Sequence, residues 1–129
     1  ERWVIQPTRR IASSLKERFP AVPIVGFPRA AGLLYERFIA EAGVDAVSID
    51  TAVPVNFARD RLQPRVTVQG NLDPVLLMVG GPPLWEAVKQ IRAALGTGPF
   101  IFNLGHGVLP PTPPENVAAL AQILAAPLD

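Results

Sequence analysis

Side chains able to do acid–base or anion-binding chemistry recur in this sequence just after short apolar runs. Arg29 follows Ile24-Val25-Gly26-Phe27-Pro28, Asp50 ends Ala46-Val47-Ser48-Ile49, Asn71 and Asp73 follow Val66-Thr67-Val68-Gln69-Gly70, and Asn103 and His106 close Phe100-Ile101-Phe102. His106, the lone histidine, stands between Gly105 and Gly107. Small neighbours let the backbone approach a ligand and leave the imidazole free to hydrogen-bond it; a histidine in such a loop also serves simply by binding a nearby carbonyl. Asp50 has two roles open to it, binding a ligand or capping the segment that follows. Arg29 either clamps a substrate carboxylate through its bidentate fork or is solvated. For Asn71-Leu72-Asp73-Pro74 the structural reading is preferred: a tight turn into a helix, with Asp73 as its cap and Pro74 as its first residue.

Other chemistries are excluded by what the chain lacks. With no cysteine there is no disulfide framework, thiolate nucleophile or cysteine-held zinc, which fits a reducing cytoplasm. One histidine leaves only carboxylates for a metal, and their spacing forms no oxygen cage. No glycine-flanked serine elbow is present. Gly80-Gly81-Pro82-Pro83 lacks the preceding strand and following lysine of a phosphate loop and reads as a helix break. Twelve basic against eleven acidic residues give a net charge of +1, too little for a field that would hold nucleic acid or an anionic membrane. No apolar run approaches the roughly 20 residues that cross a bilayer. With 49% apolar residues and a mean hydropathy of +0.27 the chain should bury a core. It opens on Glu1-Arg2-Trp3, so residues 1–129 are expected to be a single partial domain cut from a longer protein.

The elements that must position these side chains are punctuated by 15 prolines lying between the apolar runs. Ile11, Leu15 and Phe19, spaced by four, predict an amphipathic helix within 3–19, opening near Thr8 because Pro7 suits a first turn. Strands are expected over 23–27, buried on both faces, and over 46–50, 65–70 and 100–103. Helices are expected over 31–42, 55–62, 75–79, 84–95 and 115–125. Strands alternating with helices imply parallel pairing, and the loops after the strands then share one rim, where Arg29, Asp50, Asn71, Asp73, Asn103 and His106 converge. Four such units form either an open doubly wound sheet or half of an eight-unit barrel. The leading helix, with no strand before it, favours the half-barrel.

Four runs, in order and spacing, carry a resemblance. Val22-Pro23-Ile24-Val25-Gly26-Phe27-Pro28-Arg29 with Gly32-Leu33-Leu34-Tyr35, then Gly43-Val44-Asp45-Ala46-Val47-Ser48-Ile49-Asp50, then Val68-Gln69-Gly70-Asn71-Leu72-Asp73-Pro74, and finally Phe102-Asn103-Leu104-Gly105-His106-Gly107 with Pro110, Pro114 and Glu115 resemble the uroporphyrinogen decarboxylase family. The resemblance implies an α/β fold, a TIM-type (β/α)8 barrel of which this chain is the C-terminal half with four strands. It implies a parent enzyme of tetrapyrrole biosynthesis that decarboxylates the four acetate arms of uroporphyrinogen to give coproporphyrinogen, using neither metal nor organic cofactor. It also implies that His106 contacts substrate, binding a carboxylate or orienting the ring, with Arg29, Asp50, Asn71 and Asn103 as weaker substrate-binding candidates and no catalytic residue assigned within the segment. The family's arginine loop, pyrrole-gripping aspartate, and substrate-contacting tyrosine and serine precede the segment. Thr51 stands where the family often has tryptophan.

Two other readings compete. A related cobalamin-linked methyltransferase would need thiolate ligands for zinc, and the chain has no cysteine. Alternatively, the isolated chain is a non-catalytic half-barrel whose open edges drive it into homodimers or larger assemblies.

Overall fold

A computed structural model describes residues 2–126 of the protein. The elements run α1 (Ile5–Arg18), β1 (Val25–Gly26), α2 (Tyr35–Glu41), β2 (Ala46–Ser48), α3 (Val55–Phe57), β3 (Thr67–Leu72), α4 (Pro74–Val79), α5 (Gly81–Leu95), β4 (Phe100–Leu104) and α6 (Pro114–Ala125). A 3₁₀ turn at Gly32–Leu34 leads into α2, and a π-helical turn at Ala58–Leu62 continues α3.

All four strands are parallel and lie in sequence order β1-β2-β3-β4. Val25 pairs with Ala46, Val47 with Val68, and Gly70 with Phe102. A doubly wound sheet reverses its strand order at a switch point; this order never reverses, so each crossover carries the chain one strand further in the same direction, as in a barrel.

Burial tells the same story. One apolar cluster joins Val47, Ile49, Val68 and Leu72 to Phe38, Leu62, Leu77, Leu84, Val88 and Leu95 of the helices, with Phe100, Phe102 and Leu104 packed against it. On the other face Val25 is 45% and Ile101 42% exposed. The first strand, expected to be buried on both faces, is therefore covered on one only. It is also short, two residues between Pro23 and Pro28, which supply no ladder N–H.

Other boundaries differ for identifiable reasons. Helix α1 begins at Ile5 because the N–H groups of a first turn have no partner within the helix, so Pro7 costs it nothing. Its inward residues are Ile5 and Ala12, whereas Ile11, Leu15 and Phe19 are exposed. Strand β3 runs on to Leu72, which brings Asn71 into the strand instead of the turn. Asp73 caps α4 as expected, its Oδ1 accepting the Val75 N–H at 2.8 Å, with Pro74 at the first turn. Pro82 and Pro83 open α5 after the break at Gly80. Two helix ends are closed by side chains from neighbouring helices. Asn116 Nδ2 donates to the Leu77 and Met78 carbonyls at 2.9 and 3.1 Å, and the Arg92 guanidinium donates to those of Ile123 and Ala126 at 2.9 and 2.7 Å.

Candidate active site

The uncovered face of the sheet ends in a concavity of about 330 Å³, lined by Phe27, Ser48, Gln69, Asn103, Leu104, His106, Gly107 and Val108. Strand alternation accounts for the lining. Val47 and Val68 point into the core, so Ser48 and Gln69 take the opposite face; Phe102 and Leu104 pack inward, so Asn103 is turned out. Ser48 and Gln69 are register partners, and Gln69 Nε2 donates to Ser48 Oγ at 3.3 Å. Asn103 Oδ1 accepts the Leu104 N–H at 2.8 Å, which leaves its Nδ2 as the donor at the concavity. Nδ1 of His106 accepts the Gly107 N–H at 2.6 Å. The neutral ring therefore carries its proton on Nε2 and presents a hydrogen-bond donor. Among the described residues no aspartate, glutamate, lysine or arginine lines this concavity.

Of the residues singled out in the sequence, Asn103 and His106 meet here. Asp50 and Asn71 are buried behind the rim. Asp50 Oδ2 accepts the Ala30 N–H at 2.8 Å and the Tyr35 phenol at 3.1 Å, and Oδ1 accepts the Ala52 N–H at 2.9 Å. The Asp50 N–H in turn donates to Tyr35 Oη at 3.2 Å. Burial, together with the charge of Asp50, pushes the Tyr35 phenol well above its ordinary pKa, so it stays a donor. Nδ2 of Asn71 donates to the carbonyls of Asp50 and Val53 at 3.0 and 2.8 Å. Arg29 is exposed and lines a neighbouring groove with Val4, Ile5, Phe27 and Leu34, and Asp73 is occupied as a helix cap.

Two polar lining residues, Ser48 and Gln69, escape a search of strand ends alone. A signal for them exists: Ser48 and Gln69 are polar residues inside otherwise apolar runs, and a polar residue in a strand marks a face not packed on the core. Tyr35, 15 residues from Asp50 in the chain, carries no such signal. Among the described residues no helix is long and apolar enough to cross a membrane.

The chain matches the family Uroporphyrinogen decarboxylase (URO-D) over residues 1–126. It is 57% identical to the uroporphyrinogen decarboxylase of Rhodospirillum rubrum over 126 residues, 98% of this chain and 36% of that protein. The uroporphyrinogen decarboxylases of Acidiphilium cryptum and Granulibacter bethesdensis are 54% and 47% identical, across 94% and 95% of the chain and 34% and 36% of their own lengths. The chain thus spans about a third of the length of the curated relatives it matches. Its four sequential parallel strands, helix-covered on one face, form part of that family's (β/α)8 barrel. A match over nearly every residue, joined to a singly wound sheet with its polar rim at the strand ends, places this chain in the uroporphyrinogen decarboxylase family.

Proposed function

We propose that this chain forms one part of the active site of a cytoplasmic uroporphyrinogen decarboxylase, whose substrate is a tetrapyrrole bearing acetate carboxylates and whose product is coproporphyrinogen. Protonating a pyrrole ring carbon creates an electron sink; the bond from the acetate methylene to its carboxylate then breaks towards the ring and carbon dioxide leaves, after which the exocyclic methylene takes up a proton to become the methyl group and the ring carbon gives up the proton it had gained. Fixed charge nearby stabilises the cation formed. This concavity supplies neutral donors and no formal charge, so it fits the binding and orienting half of that task, with the charged groups coming from the rest of the barrel. The observation that carries the reading is His106, whose Nδ1 is held by the Gly107 N–H and whose Nε2–H is left as a donor at the mouth. It would grip a substrate carboxylate or fix the ring.

An anaerobic assay for coproporphyrinogen, run on the chain alone and with the preceding part of the barrel supplied, tests this. Activity is expected only in the combined sample, and His106→Ala there should lower kcat/KM about 10- to 100-fold, the cost of one charge-assisted hydrogen bond. Full turnover by the His106→Ala protein would remove the role assigned to it.

A second reading concerns the isolated chain. Val25, Phe27 and Ile101 lie exposed on the open face, and β1 and β4 each have one unpaired edge. Such edges pair with whatever strand is offered, so the chain alone should form dimers or larger species. A monodisperse monomer by light scattering would count against it.

A further inference from the structure

The loop that carries His106 leans on the loop after β2. The Gly105 N–H donates to the Leu72 carbonyl at 2.8 Å, and a Cβ at Gly105 would lie 2.5 Å from Thr51 N and 3.0 Å from the Asp50 carbonyl carbon. Only a bare backbone fits so close. Thr51 is held in turn by its neighbours: the Asp50 carboxylate gathers Ala30 N–H, Tyr35 Oη–H and Ala52 N–H, and Asn71 fastens the carbonyls of Asp50 and Val53. None of these three side chains lines the concavity.

We propose that Tyr35, Asp50 and Asn71 are positioning residues for His106, acting through Thr51 and the Gly105 backbone. His106 is itself exposed, with one hydrogen bond to its own loop, so little in its immediate surroundings fixes the ring. A substrate-binding group must be held to within a fraction of an ångström to be useful, and a saturated buried network beneath an exposed loop supplies that rigidity at a distance. Each acceptor in the network is matched to a donor, so replacing one member leaves a largely buried partner unpaired. The loops after β1, β2 and β4 then form one cooperative unit, since the Ala30 and Ala52 N–H groups bond to Asp50 and Gly105 packs on Thr51 beside it.

The inference rests on the substrate-facing role proposed for His106, yet it can be read without turnover. The chain has one histidine, so its ring gives one set of nitrogen signals. In the wild-type chain at pH 8 those signals should report the Nε2–H tautomer, and the Gly105 and Ala52 amides should exchange with solvent at matching protection, as members of one opening unit. Tyr35→Phe keeps the ring and removes both hydrogen bonds to Asp50. It should lower protection at Gly105 and Ala52 together, about tenfold or more, and move the His106 nitrogen signals towards the average of the two tautomers. Asn116→Ala, which uncaps α4 away from the rim, should leave both unchanged. Unaltered His106 signals and Gly105 protection in Tyr35→Phe, with Ala52 deprotected, would make the network merely structural. Independent exchange of Gly105 and Ala52 in the unmutated chain would overturn the proposal with no variant needed. A failed coupling leaves the His106→Ala turnover test standing, and a failed turnover test leaves the coupling measurable, so the two readings fail separately.

Discussion

The two faces of the sheet have been put to opposite uses. The helix-covered face is a continuous apolar contact in which Val47, Val68, Leu84, Val88 and Leu95 are fully buried. On the other face Val25, Phe27 and Ile101 are each more than two-fifths exposed, and Ser48, Gln69, Asn103 and His106 stand among them. One strand serves both, because successive residues point to opposite sides. Stability is therefore concentrated on one side of each strand and the proposed ligand chemistry on the other, and a substitution should register in the property of the face it sits on.

The sharpest test of that division is a pair of truncations. Leu84→Ala removes a side chain with no exposed surface and should cost about 2–5 kcal/mol, read as a fall in the urea midpoint. Ile101→Ala, on the open face at 42% exposure, should cost only about 1 kcal/mol, because roughly half its surface is already in water. Equal losses would mean that the open face is covered in solution, and the difference should vanish when the rest of the barrel is added.

Glycines sharpen the same comparison. Gly70 lies in β3 at φ +134°, and a Cβ there would sit 2.6 Å from the Ile49 carbonyl oxygen. Gly70→Ala should therefore cost roughly 1–3 kcal/mol. Gly107, beside His106 on the rim, has open space where a Cβ would go, so Gly107→Ala should stay within about 0.5 kcal/mol of wild type. Thermal melts of the two variants decide it: a rim variant as damaging as the strand variant would show that the rim is packed and not open.

The elements were legible because their signals are local. Apolar runs separated by prolines mark β2 and β4, and Asp73-Pro74 announces the start of α4. What escaped depends on which side of an element faces the rest of the chain. Ile11, Leu15 and Phe19 have the spacing of a core stripe, yet α1 turns Ile5 and Ala12 inward. The apolar run over 23–27 reads as buried on both faces when one of them is open, and a search confined to strand ends passes over Ser48 and Gln69. Asn71 reads as a turn residue because Asp73-Pro74 follows it, whereas the ladder to Asn103 and Leu104 carries the strand through. The partnership of Tyr35 with Asp50 crosses from one strand–helix unit to the next, and no spacing within either unit encodes it. The strand order that separates a barrel from a doubly wound sheet is likewise a property of the crossovers together.

The smallest effect belongs at the other end of the strands, remote from the rim. Asp45 precedes β2, and its Oδ2 accepts the Ile24 N–H and the Lys16 ammonium, each at 2.7 Å, tying α1 to the starts of β1 and β2. The Lys16 hydrogen bond, and then that of Ile24, hold the carboxyl below its usual range. A carboxyl whose folded pKa is depressed contributes stability above its unfolded pKa of about 3.9, and that contribution is lost as the pH falls through the lower folded value. Both partners are partly exposed and screened by salt, so the gain is small at any pH. Asp45→Asn should thus lower the melting temperature slightly at neutral pH, and the gap to wild type should close as the pH drops below about 4. A gap that persisted unchanged into acid would mean that the Ile24 contact acts through its geometry, independent of charge. The strand starts would then owe their stability to hydrogen bonding alone.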